Sequence, residues 1–249
     1  MTLELIGISK SFQADNNRIK AVDGISLRVG AGQFVSIIGP SGCGKSTLFK
    51  IICRLTSPDE GQVFIKGTPE YTPGEVLSYM PQKDLLMPWR TVMENVLLPL
   101  EIRGENNKKG REQAKALFPL FGLEGFENCY PSDLSGGMSQ RASLLRMVLA
   151  DRDLMLLDEP FGSLDAITRF RMQQWLQEIC MKLGKAILFI THDVEEAIFL
   201  SDRVYVMTPR PGRIKSVFEV CLSRPRNPSV VTGEEFVKLK EALMESLNF

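Results

Sequence analysis

The chain has 249 residues, room for one large domain or a core with a substantial insertion, and its 44% hydrophobic and 24% charged content is ordinary for a soluble globular protein. Thirty basic side chains balance thirty acidic ones, which excludes a uniform positive field drawing the whole chain to nucleic acid. The longest apolar runs, such as "AILFI" and "LMLL", fall far short of the roughly 20 residues of a membrane span, and "MTLELIGISKSF" lacks the pattern of a signal peptide.

In chain order, "LELIGISKSF", "GISLRV", "QFVSIIG" and "GQVFIKG" predict short strands separated by Gly, Asn and Asp turns, and "VLSYMPQ" ends that part in another. From about Lys83 to Ala150 the period becomes helical, through "TVMENVLLPLEIR", "REQAKALFPLFGL" and "SQRASLLRMVLA". "DLMLLDEP" and "KAILFITHD" return to fully apolar strands, with a helix between them around "AITRFRMQQWLQEICMKL". "EEAIFLS" predicts a helix, "RVYVM" and "SVFEVCL" strands, and "TGEEFVKLKEALMESL" a closing amphipathic helix that packs on the core. Apolar strands alternating with helices imply a parallel sheet in an α/β core. Residues 83–150 form a helical subdomain inserted into a core of residues 1–82 and 151–249. Five cysteines (Cys43, Cys53, Cys129, Cys180 and Cys221) make no CxxC pair and have no histidine cluster beside them, so they read as reduced cytosolic thiols.

Three stretches carry chemistry. "GPSGCGKST", residues 39–47, sits between a strand and a helix and has the phosphate-loop spacing. Its glycines let backbone N–H groups approach phosphate oxygens, and the following helix adds its free amides and dipole. Lys45 is expected at the β- and γ-phosphates and the Ser46 hydroxyl on Mg²⁺. In "LMLLDEP", Asp158 and Glu159 end a buried strand, placing them at the carboxyl edge where ligands bind in open α/β sheets. Asp158 is expected to hold Mg²⁺, and Glu159 to polarise the attacking water. "LSGGMSQR" offers a second helix start with Ser135 as its cap and two free glycines; it reads either as an ordinary capped helix or as an anion site completed by a second subunit. Taken bare, Gln82 reads as a surface residue and His192 as a structural histidine; for Phe12, simple core is the rival reading.

The order "GPSGCGKST", "MPQKD", "LSGGMSQR", "LMLLDEP", "SLD", "THD" resembles the nucleotide-binding subunits of ATP-binding cassette (ABC) transporters, over nearly the whole chain to about residue 215. "LLMPWRTVMENV" and "MTPRPGRI" are similar to the nitrate/sulfonate/taurine import class in particular. The resemblance implies an α/β P-loop NTPase fold of the ABC type: a mixed sheet with antiparallel N-terminal strands and an inserted helical subdomain. It implies that Gly39, Pro40, Ser41, Gly42, Cys43, Gly44, Lys45, Ser46 and Thr47 cradle ATP and that Phe12 stacks on adenine. Gln82 would join Mg²⁺ with Ser46 and Asp158, and Glu159 and His192 would act at the γ-phosphate with Lys45. Ser135, Gly136 and Gly137 would close on the partner's γ-phosphate, and Asp165 would lie at the dimer interface.

The implied partners are a second ATP-binding subunit, making a homodimer, integral membrane permease subunits and, indirectly, a solute-binding protein, with no nucleic acid expected. The implied location is peripheral, on the cytoplasmic face of the cell membrane, with "LLMPW" receiving a permease helix. An exporter or a soluble cassette ATPase remains the alternative. Met138, Ser139 and "ASLLRMVLA" depart from the commonest signature wording, but touch none of the residues above. Cys43, among the phosphates, is expected to make the ATPase sensitive to thiol reagents.

Overall fold

The computed structural model describes residues 2–14, 17–83, 85–105, 107–162 and 164–247. Asp84 of "MPQKD", Ser163 of "SLD" and the side chain of Cys180 lie outside that description. Strands β1 (Leu3–Ala14), β2 (Asn17–Val29) and β4 (Glu60–Ile65) make an antiparallel sheet in the order β2-β1-β4. A second sheet runs β5 (Leu77–Met80), β6 (Leu154–Asp158), β7 (Ala186–Ile190), β3 (Phe34–Ile38), β8 (Arg203–Met207), β9 (Ile214–Glu219). Its first five strands are parallel, and β9 is antiparallel at the edge.

The apolar strands make sense once their two faces are separated. Phe34, Leu157, Phe189 and Val206 point into one buried cluster; Ile37, Leu156, Leu188 and Tyr205 point into another. Alternate residues thus serve opposite faces, and both faces are covered, so no polar side is left to mark the period. One face packs on α1 (Lys45–Ile52) and the antiparallel sheet through Leu48, Phe49, Leu5 and Ile25. Ser36 is the polar exception on β3, and its hydroxyl bonds that of Ser201.

Between β4 and β5 lies a single helical turn, α2 (Pro73–Val76), which is too short to leave a periodic signal. The helical middle contains α3 (Val92–Ile102), α4 (Asn107–Leu117) and α5 (Gly136–Leu149). Thr91 and Glu94 form a reciprocal capping box that starts α3. The expected helix "REQAKALFPLFGL" is displaced: α4 begins at Asn107 and stops at Leu117, two residues before Pro119, which has no N–H to continue it. Val96, Leu100, Ala114 and Leu145 from this region share the buried cluster on the other sheet face.

Helices α6 (Ala166–Leu183) and α7 (Val194–Leu200) cover that same face, and α8 (Glu234–Leu247) packs on α7, burying Phe236 and Leu243. The buried Arg226 guanidinium accompanies α8, donating to the carbonyls of Ile198, Phe199 and Ser201 at 2.9, 3.1 and 2.7 Å. No helix among the described residues is long and apolar enough to cross a membrane.

Candidate functional site

The loop between β3 and α1 is built so that only its backbone and short side chains meet the space above it. Gly44 has φ +107°, and a Cβ there would lie 2.4 Å from Val22 Cγ1 and 2.9 Å from the Ala21 carbonyl oxygen. Both the conformation and the packing therefore demand glycine. The Lys45 side chain, 7% exposed, folds back along the loop, and its ammonium donates to the carbonyls of Gly39 at 2.7 Å and Pro40 at 3.1 Å.

Asp158 ends β6, is 4% exposed, and accepts a hydrogen bond from the Ser46 hydroxyl. Burial pushes its carboxyl above the usual range, and the Ser46 bond works against that shift. Hydroxyl and carboxylate together are hard oxygen donors of the kind Mg²⁺ takes, while it keeps most of its shell for water and phosphate. No group of three or more His, Cys, Asp or Glu suited to a metal occurs among the described residues.

Glu159 follows in the left-handed region at φ +50°, where its N–H donates to Ile190 O at 2.9 Å. A non-glycine residue pays of order 1–3 kcal/mol for such a backbone, which persists where surrounding structure imposes it. Its Oε2 accepts from Gln82 Nε2 at 3.3 Å and lies 3.4 Å from His192 Nδ1. Three residues far apart in the chain thus meet on one carboxylate oxygen.

Two hollows flank that carboxylate. A cleft of about 430 Å³ has Phe12, Ile19 and Ala21 as apolar wall, Ser41, Gly42, Gly44, Lys45, Ser46 and Thr47 from the loop, and Gln82 and Glu159 as a polar side. The other, about 510 Å³, is lined by Gln82, Glu159, His192, Gly136 and Gln140 among others. Phe12 is exposed rather than core. Ser135 caps α5, its Oγ accepting from Met138 N at 3.3 Å, and neither Ser135 nor Gly137 lines either hollow. Asp165 is exposed and caps α6 by accepting from Thr168 N at 3.0 Å.

Gly39, Pro40 and Cys43 do not line the cleft. The expectation for Cys43 needs correcting: its side chain is 1% exposed and turns into the cluster beneath the loop, among Leu48 and Met207. In this conformation no open path leads to its Sγ, which lies 3.8 Å from Lys45 Nζ, so modification would require the loop to open.

Arg210 was not singled out from the sequence as a site residue. It lines the first cleft, and its Nε and Nη2 donate to the Gly42 carbonyl at 3.1 and 3.0 Å. The only sequence signal was the "RPGRI" wording, 168 positions from its contact. Gln140, whose Nε2 donates to the Glu159 carbonyl at 3.2 Å, was missed as well. Arg210→Ala is expected to weaken ATP binding about 3- to 10-fold, the scale of one or two lost hydrogen bonds at the loop. Equilibrium titration checks this, and an unchanged Kd rules Arg210 out of the site.

The sequence pattern of the ABC transporter family matches residues 22–162. The chain is 38% identical to an aliphatic sulfonates import ATP-binding protein of Bacillus cereus, over 98% of this chain and 95% of that one. It is 44% identical to a formylaminopyrimidine import ATP-binding protein of Halalkalibacterium halodurans, over 85% and 82%. Among solved structures it is similar to a dimeric ATP-binding cassette in a post-hydrolysis state bound to ADP and Pi, with TM-score 0.79, 28% identity, and coverage of 89% of this chain and all of that one.

Proposed function

This chain belongs to the ABC transporter family and is an ATPase, and from that premise we propose that it powers an importer for a small solute of the nitrate, sulfonate or taurine kind. The observation that carries the hydrolytic part is the Glu159 carboxylate, held by Gln82 and faced by His192 beside the phosphate loop. Import is supported by the relatives named as import proteins; that one serves sulfonates and another a pyrimidine argues that the solute is chosen elsewhere, by a solute-binding protein and the membrane subunits.

In this reading adenine stacks on Phe12, and the phosphates lie over residues 41–47. Lys45 exchanges the Gly39 and Pro40 carbonyls for the β- and γ-phosphates, which carry full charge. Ser46 and Asp158, with Gln82, would hold Mg²⁺, which would supply positive charge to the phosphate oxygens. Gln82 and His192 both address Glu159 Oε2, so Oε1 is left to accept the proton of the attacking water. Positioning and electrostatics carry the transfer, since a loose phosphoryl transition state needs little covalent help.

Two copies bind two ATP head to tail, with Ser135, Gly136 and Gly137 of each completing the other's site and Asp165 at the interface. Swinging such a pair from 1:99 to 99:1 closed takes about 5.5 kcal/mol of differential binding. Residues 83–150 act as the helical subdomain that transmits closure to the permease on the cytoplasmic face of the membrane. Trp89 is 72% exposed there, and a hollow of about 310 Å³ elsewhere on the same region is lined by Leu98, Pro99, Ile102 and Met147 together with Arg103, Arg146 and Arg152. An exposed aromatic and a partly apolar hollow rimmed by cations suit an amphipathic permease helix.

Affinity isolation of the tagged protein from detergent-solubilised membranes of its own cell tests the proposal. A multi-span subunit is expected to accompany it, and to be lost with Trp89→Glu. Recovery as a soluble species alone, or with ribosomes or DNA, would leave the ATPase standing and overturn transport.

A further inference from the structure

Beneath His192 lies a buried polar cluster that the chemistry above does not use. Thr191 is fully buried, and its Oγ1 donates to Glu196 Oε2 at 2.7 Å. The same oxygen accepts from the Asp193 N–H at 3.0 Å, so the residues on both sides of His192 are fixed through it. Glu196, on α7, is 8% exposed and gives its other oxygen to α6. There Oε1 accepts from Gln173 Nε2 at 3.0 Å and lies 3.7 Å from Arg169 Nε. Arg169 in turn reaches the chain ahead of α6: Nη2 donates to Leu164 O at 2.9 Å and Nε to Phe161 O at 3.4 Å. Those two carbonyls lie in the segment that leads from Glu159 to Asp165.

Every link in this path is buried or half-buried. Breaking one would leave a carboxylate oxygen without its donor, at the cost of desolvating a charge with nothing in return. The cluster therefore shifts as a unit more readily than it comes apart. Burial pushes the Glu196 carboxyl above its usual range, with the Thr191 hydroxyl opposing, which marks how little water reaches it.

We infer that Glu196 is a positioning residue that makes the His192 loop and the backbone at Phe161 and Leu164 move together. The inference rests on the proposed dimer, in which Asp165 faces the partner subunit. A displacement at that interface passes through Arg169 and Glu196 to Thr191, and so to His192 beside Glu159. ATP bound in one site then adjusts the catalytic groups of the other.

The test compares wild-type protein, Glu196→Gln, Asp165→Asn and the double variant in ATP turnover and nucleotide binding. Glu196→Gln keeps the shape and removes the charge that Arg169 answers; Asp165→Asn keeps the α6 cap. Glu196→Gln is expected to leave the nucleotide Kd unchanged and to lower kcat about ten- to a hundredfold, the scale for a reacting group misplaced by about 1 Å. The Hill coefficient for ATP should fall toward unity. The double variant should be no slower than the slower single one, since both interrupt one path. Multiplied losses in the double variant, or a Hill coefficient that stays at the wild-type value, would reduce Glu196 to local support and overturn the inference. Arg169→Gln, at the partly exposed end of the path, carries the same test if Glu196→Gln does not fold. A wild-type Hill coefficient of unity would overturn the dimer reading itself, and this inference with it.

Discussion

Glu159→Gln should abolish ATP turnover while leaving ATP bound. The amide keeps an oxygen for Gln82 and His192, so the geometry around position 159 survives; what goes is the base at Oε1. General-base catalysis contributes about 10²- to 10⁴-fold, and kcat should fall by that order. Binding should hardly change, because Lys45 and the loop amides meet the phosphates without help from position 159. With hydrolysis stopped, the ATP-closed pair should accumulate, and light scattering on a sizing column in ATP should register a dimer. Wild-type turnover in this variant would remove Glu159 from its role. Loss of both turnover and binding would make it a structural residue of the loop.

Lys45→Ala should fail one step earlier, at binding. Two charge-assisted hydrogen bonds to phosphate are worth about 3 kcal/mol together, roughly a hundredfold in Kd. The variant also strips the Gly39 and Pro40 carbonyls of the Lys45 donor, so the nucleotide-free protein should melt somewhat lower. The two effects separate cleanly: titration of ATP reads the first and thermal unfolding without nucleotide the second. Undiminished ATP affinity would mean that the ammonium remains with the carbonyls when nucleotide binds, and plays no part in holding it.

Much of this arrangement was legible in the residues. The strands of the central sheet announced themselves as unbroken apolar runs, since "FVSII", "LMLLD" and "AILFI" are buried on both faces. "GPSGCGKST" named its own ligand because glycine, lysine and hydroxyl at that spacing have one common use. Short or irregular parts were lost: one turn at residues 73–76 has no period to detect, and α4 was placed too far along because "LFPLFGL" continues the apolar pattern after Pro119 has ended the helix. Cys43 was misjudged for a different reason. Its position in the loop is clear from sequence, but which way a side chain turns from a tight loop depends on φ and ψ, and those come from the glycines on either side. Arg210 and Gln140 were invisible because their contacts are made across the fold, to backbone carbonyls that carry no sequence mark.

The Arg226 guanidinium has a bearing on how the chain can be rearranged. α7 is only seven residues long, and its last carbonyls have no helical turn beyond them to bond. An arginine from a segment 25 to 28 positions later supplies those donors, while burial draws its own pKa down to about 10, still protonated at neutral pH. The tail is therefore the missing end of α7, delivered from a distance. Domain shuffling at this terminus is confined accordingly: a regulatory module could be appended after α8, but one spliced in at residue 220 would uncap the helix that follows His192 and loosen the catalytic edge.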